Sequence, residues 1–176
     1  MDPESYALWL IPQGTLYEET EKIIAELAKE FSAPAFHPHV TLLGGISGNE
    51  EEIVRLCSRL AKALRPFSIK LTTIDYLDDF YRCLYIRVEE SKVIKEANAK
   101  AKEILGQNAA CPYMPHLSLL YGNLSPSTKQ RIISSLDEIF EREFSVDRFF
   151  LVSLAGEPEV WNAVKEFPFV TDSVSP

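Results

Sequence analysis

Two short segments of this chain match each other residue type for residue type. Pro38-His39-Val40-Thr41-Leu42-Leu43 runs into Gly44, and Pro115-His116-Leu117-Ser118-Leu119-Leu120 runs through Tyr121 into Gly122. Each reads proline, histidine, apolar, hydroxyl, leucine, leucine. A brief apolar run held between a proline and a glycine is a strand signature, because both flanks break a helix. Two such strands in matching surroundings constrain the whole chain. They imply two halves of like architecture that face each other.

The rest of the sequence fits that plan. Tyr6 to Ile11 reads as a strand closed by Pro12-Gln13-Gly14, and Tyr17 to Phe31 carries Ile23, Ile24, Leu27 and Phe31 at helical spacing. Asn49 is placed to cap a helix that Pro66 stops. Phe67 to Tyr76 alternates as a strand, Cys83 to Val88 is strand-like, and Asp78-Asp79 lies between them as a turn. Ser91 opens a helix through Leu105, with Gly106 as its C′ residue. Ser125-Pro126 opens another, through about Phe140, with the proline at N1. Phe144 to Leu154 and Val160 to Phe169 read as the last two strands. The order is β α β α β β α β α β β, in which each histidine strand follows a helix and precedes a helix and two strands. This predicts an α+β fold of two pseudo-symmetric lobes, with antiparallel sheets lining a central cleft and helices packed outside. Residues 1–176 are expected to form one bilobal domain.

Composition narrows the function. Apolar residues make up 46% and charged residues 25%, which excludes disordered and fibrous classes. A net charge of -8 argues against a track for long nucleic acid, whose binding rests on Lys and Arg meeting phosphates. No apolar run approaches the ~20 residues of a membrane helix, so no membrane partner is expected. The first twenty residues hold Asp2, Glu4, Glu18 and Glu19 and no Lys or Arg, unlike a secretory or mitochondrial leader, so the expected location is cytoplasmic. Cys57, Cys83 and Cys111 are an odd number at wide spacing, which fits neither a zinc site nor a disulfide framework; they read as reduced structural thiols, with a single pairing among the three left open.

The chemistry lies in the twin strands. Residues i and i+2 of a strand share a face, so His39 projects with Thr41 and His116 with Ser118. An imidazole beside a hydroxyl is half of a phosphate site, since the ring moves protons near neutral pH and the hydroxyl donates to a phosphoryl oxygen. Two halves would gather two imidazoles and two hydroxyls around one phosphate. One ring then deprotonates water while the other protonates the leaving ribose oxygen, and Thr41 and Ser118 hold the charge of the pentacoordinate state. A metal is not expected, because no Asp, Glu or Cys stands near either motif to complete a ligand set. No cofactor is expected either. His37, across Pro38 from His39, is assigned to a surface loop. Trp9 and Tyr121 are aromatics placed to wall the cleft or touch the substrate.

The paired His-X-Thr and His-X-Ser tripeptides resemble those of the 2H phosphoesterase superfamily. Pro112-Tyr113-Met114-Pro115-His116-Leu117-Ser118-Leu119-Leu120-Tyr121 is similar to its cyclic phosphodiesterase branch, as are Leu8-Trp9-Leu10-Ile11-Pro12 and Pro38-His39-Val40-Thr41. The resemblance implies hydrolysis of ADP-ribose 1″,2″-cyclic phosphate and of nucleoside 2′,3′-cyclic phosphates, the latter to 2′-phosphates. It implies that His39 and His116 are the acid–base pair, that Thr41 and Ser118 hold the phosphate, and that Tyr121 contacts the substrate. The partner is then a small cyclic phosphate or nucleotide, met by a monomer. Leu42-Leu43-Gly44-Gly45, after the first motif, departs from the branch pattern. Two other readings compete: an enzyme that processes 2′,5′ or cyclic ends of larger RNA, and a non-catalytic phosphate-binding module of the same fold. The first wants a basic approach to the cleft. The second has no use for two titrating imidazoles.

Overall fold

A computed structural model describes residues 5–107, 112–136 and 142–171. The described residues form eight strands, β1 (Ser5–Leu10), β2 (Val40–Ser47), β3 (Phe67–Asp75), β4 (Leu84–Val88), β5 (His116–Leu120), β6 (Arg142–Val146), β7 (Arg148–Ser153) and β8 (Asn162–Pro168), and four α-helices. The helices are α1 (Thr15–Phe31), α2 (Glu50–Ala63), α3 (Lys92–Ile104) and α4 (Pro126–Leu136). The expected helix ends find physical causes. Asn49 Oδ1 accepts the Glu52 amide at 3.1 Å, Ser91 Oγ accepts the Ile94 amide at 3.4 Å, and Ser125 Oγ accepts the Thr128 amide at 3.2 Å. Among the described residues no helix is long and apolar enough to cross a membrane.

The strands form one antiparallel sheet in the order β6-β3-β4-β5-β2-β1-β7-β8. It divides at its middle into halves of four strands, each led from the centre by a histidine strand. The two halves join through one pair, Val40 with Leu117. The helices cross between them: α1 follows β1 yet packs on β5, and α3 follows β4 yet packs on β2. Asn98 of α3 seals that contact by donating to the Leu42 carbonyl at 2.7 Å.

One expected strand is two. Phe144 to Leu154 divides at Asp147 into β6, which pairs with β3 at one edge of the sheet, and β7, which pairs with β1 in the other half. The inward positions shift parity there, from Phe144 and Val146 to Phe149 and Leu151, and a single strand cannot change parity without a break. The expected run to Phe140 in α4 ends within residues 137–141, outside the described residues. Cys57 and Cys83 are buried free thiols, and burial pushes the Cys57 thiol up to about 12, so it stays protonated and packs as an apolar group. Cys111 lies outside the described residues.

Packing also fixes which way the histidines point. Val40, Leu42, Leu117 and Leu119 are fully buried on the helix side of the sheet. Each such side chain contributes about 1.5–3 kcal/mol relative to exposure. A one-residue slip would expose all four and drive the imidazoles into the core, so the register is strongly specified.

Candidate active site

The Val40–Leu117 pair sets the local register of the cleft. In an antiparallel ladder, the residues flanking that pair place Thr41 opposite His116 and His39 opposite Ser118. All four side chains line one cavity of about 590 Å³ on the face away from the helices. The two tripeptides are therefore related by a local two-fold that passes between Val40 and Leu117. The expected convergence of two imidazoles and two hydroxyls is a direct consequence.

The flanking strands repeat the symmetry. Trp9 of β1 pairs across from Thr41, and its ring stacks on His39 with centroids 3.6 Å apart and planes 9° from parallel. Tyr85 of β4 pairs across from Ser118, and its ring meets His116 edge-on at 5.3 Å. Each histidine thus has an aromatic from the next strand fixing its plane.

The ring nitrogens follow the same rule. His39 Nδ1 lies 2.7 Å from the His37 carbonyl and His116 Nδ1 lies 2.9 Å from the Met114 carbonyl. A carbonyl only accepts, so both Nδ1 atoms carry the proton, and Nε2 is left as the proton acceptor of each neutral ring. Burial pushes His39 down to about 4, with the charge of His116 adding to the effect against the carbonyl bond. Burial holds His116 below its ordinary value as well, aided by the nearby Arg82 charge. With both values held below the ordinary imidazole range, pH 7 favours two neutral rings, and an anionic ligand would favour protonating one of them.

The hydroxyls are less alike. Ser118 Oγ donates to the Tyr81 carbonyl at 2.9 Å and also meets the Tyr121 hydroxyl. Thr41 Oγ1 has no hydrogen-bond partner among the described residues, while its carbonyl accepts from the Tyr113 hydroxyl at 3.0 Å. Thr41 is thus ready to donate, whereas Ser118 must turn its proton away from the Phe80–Arg82 turn.

Tyr121 lines the cleft but is nearly buried, stacked on Phe36 at 3.7 Å. Trp9 lines it too, with one ring face covered by His39. His37 stands apart: its ring is exposed and bonded to the Tyr17 hydroxyl at 2.8 Å. Sequence reasoning missed the opposite rim. Asp79, Tyr81 and Arg82 come from the turn before β4, and Trp161 comes from the link between β7 and β8. Asp79 accepts from the Tyr81 and Arg82 amides and pairs with the Arg82 guanidinium at 3.0 Å, which braces that turn. The Asp78-Asp79 turn signal was visible in sequence; its place above His116 was not. Among the described residues no group of three or more His, Cys, Asp and Glu stands close enough to share a metal ion.

The chain matches the 2′-5′ RNA ligase superfamily over residues 12–158. It is 25% identical to a protein of Arabidopsis thaliana named cyclic phosphodiesterase, over 90% of this chain and 92% of that one. TT0787 of Thermus thermophilus superposes with a TM-score of 0.64 at 18% identity, covering 94% of this chain and 97% of the other. E. coli LigT superposes with a TM-score of 0.65 at 14% identity, covering 97% of this chain and all of the other, and has also been solved with 3′-AMP and with ATP. The chain belongs to the 2′-5′ RNA ligase superfamily, the 2H phosphoesterases.

Proposed function

We propose that this protein hydrolyses ribose cyclic phosphodiesters, both nucleoside 2′,3′-cyclic phosphates and ADP-ribose 1″,2″-cyclic phosphate, without a metal. The observation that carries the reading is the matched pair of Nδ1–carbonyl bonds, which present two Nε2 atoms of like tautomer to one cavity. In the reaction, one neutral Nε2 takes a proton as water attacks phosphorus. The other ring, protonated when the phosphate anion is bound, gives its proton to the departing ribose oxygen. One P–O bond of the ring breaks and one P–O bond to water forms, leaving a phosphomonoester; from a 2′,3′-cyclic nucleotide the 3′ oxygen departs and a 2′-phosphate remains. Thr41 and Ser118 donate to the equatorial oxygens as charge builds there. After turnover the two rings have exchanged one proton, which solvent resets.

The curated relative's name supports the substrate class, and the nucleotide complexes of LigT support a small nucleotide in this cleft. The acidic net charge disfavours long RNA as the main substrate. Phosphorus NMR of adenosine 2′,3′-cyclic phosphate turnover in excess chelator tests the reading. It expects adenosine 2′-phosphate; a requirement for one added metal, or no hydrolysis of any cyclic phosphate, contradicts it.

A further inference from the structure

A second cavity of about 230 Å³ adjoins the cleft, sharing Thr41, Gly44, Arg82 and His116 with it. Its far wall holds Asn98 and Lys102 of α3, and Tyr113. Two features set it apart. Among the described residues its lining has two cationic side chains, Arg82 and Lys102, and no Asp or Glu, on a chain with 26 acidic and 18 basic residues. It is also roomy: a water in the liquid takes roughly 30 Å³, so a phosphate fits with hydration to spare.

We infer that this annex is a second anion subsite, which takes a distal phosphate or pyrophosphate of a substrate whose cyclic phosphate lies between His39 and His116. The inference rests on the cyclic phosphodiester reading of the main cleft. Arg82 is set for the task at the junction: Asp79 holds its guanidinium on the cleft rim, and its charge is felt by His116. Planar guanidinium and mobile ammonium together suit an anion with several oxygens.

The test compares adenosine 2′,3′-cyclic phosphate with two probes that carry further phosphate, adenosine 5′-phosphate 2′,3′-cyclic phosphate and ADP-ribose 1″,2″-cyclic phosphate. Steady-state kinetics are measured for the wild type, Lys102→Gln and Lys102→Arg, with thermal melts to show that each variant folds. The expected result is a lower KM for at least one further-phosphorylated probe. Lys102→Gln should raise that KM by ~5-fold or more with kcat nearly constant, as loss of a charge-assisted contact does. Lys102→Arg should retain the preference, and added salt should erode it. Turnover of all three substrates with no preference, or a preference that Lys102→Gln leaves intact, overturns the annex while the main reading stands. Failure to hydrolyse any cyclic phosphate overturns both.

Discussion

The Trp9 indole lies flat on the His39 imidazole, 3.6 Å between centroids and 9° between planes. The contact does two things at once. It covers one face of His39 and so shares in the burial that suppresses its protonation, and it holds the ring plane against rotation about the Nδ1–carbonyl bond.

Trp9→Leu should therefore act through His39 and not through substrate affinity. Relief of desolvation raises the His39 pKa toward its ordinary value near ~6.5. Turnover should fall ~10-fold or more as the ring loses its fixed plane, with KM little changed. Trp9→Phe should recover most of the loss. NMR titration of the His39 ring together with steady-state kinetics checks this; a large KM rise with an unmoved His39 pKa would instead make Trp9 a substrate platform.

His37 separates the residue from its peptide. What His39 uses is the carbonyl oxygen of residue 37, which any side chain supplies, and the His37 ring bonds outward to Tyr17. His37→Ala should keep turnover within about tenfold of wild type, whereas His39→Ala should fall by ~10²-fold or more. The reverse ranking would mean that the two strands have been matched in the wrong register.

Rate should depend on pH with the sign set by burial. A general acid must be protonated and a general base neutral, so kcat/KM follows a bell whose limbs belong to the pair as a unit. Both rings are shifted down in the free protein, so protonation is lost early as pH rises, and the basic limb of kcat/KM should lie below ~6.5. A bound phosphodiester anion favours the imidazolium, so the basic limb of kcat should sit at higher pH than that of kcat/KM. Initial rates from pH 4 to 9 measure both limbs. Coincident limbs, or a kcat/KM limb above pH 8, would count against a buried imidazole as the acid.

How much of this was legible in the sequence differs from residue to residue. The twin motif pointed to His39, Thr41, His116 and Ser118, because strand alternation puts each imidazole on one face with its hydroxyl, and Asn49, Ser91 and Ser125 announced their helices by side chains that accept amide protons. The break at Asp147 was legible as a parity change between Val146 and Phe149, a signal that a search for alternation over one long strand reads past. The crossing of α1 onto β5 and α3 onto β2 has no local trace, since it depends on how the two halves close. For the same reason Arg82, Tyr81 and Trp161 could not be assigned to the cleft. They reach it from turns whose positions are set by strands far away in the chain. Tyr85 was legible only once β4 was known to lie beside β5, where its ring meets His116.

The central claim is that His39 and His116 act on opposite sides of one phosphorus, and the most direct measurement is hydrolysis of adenosine 2′,3′-cyclic phosphate in chelator by wild type, His39→Ala, His116→Ala and the double variant. Each single substitution should lower kcat by ~10²–10⁴-fold, the usual worth of a positioned acid or base. The double variant should lose less than the product of the two, because both groups serve the same step. Melting curves should stay cooperative throughout, since both rings border a cavity and the apolar core lies on the opposite face of the sheet. A folded single variant that retains near wild-type turnover would contradict the account.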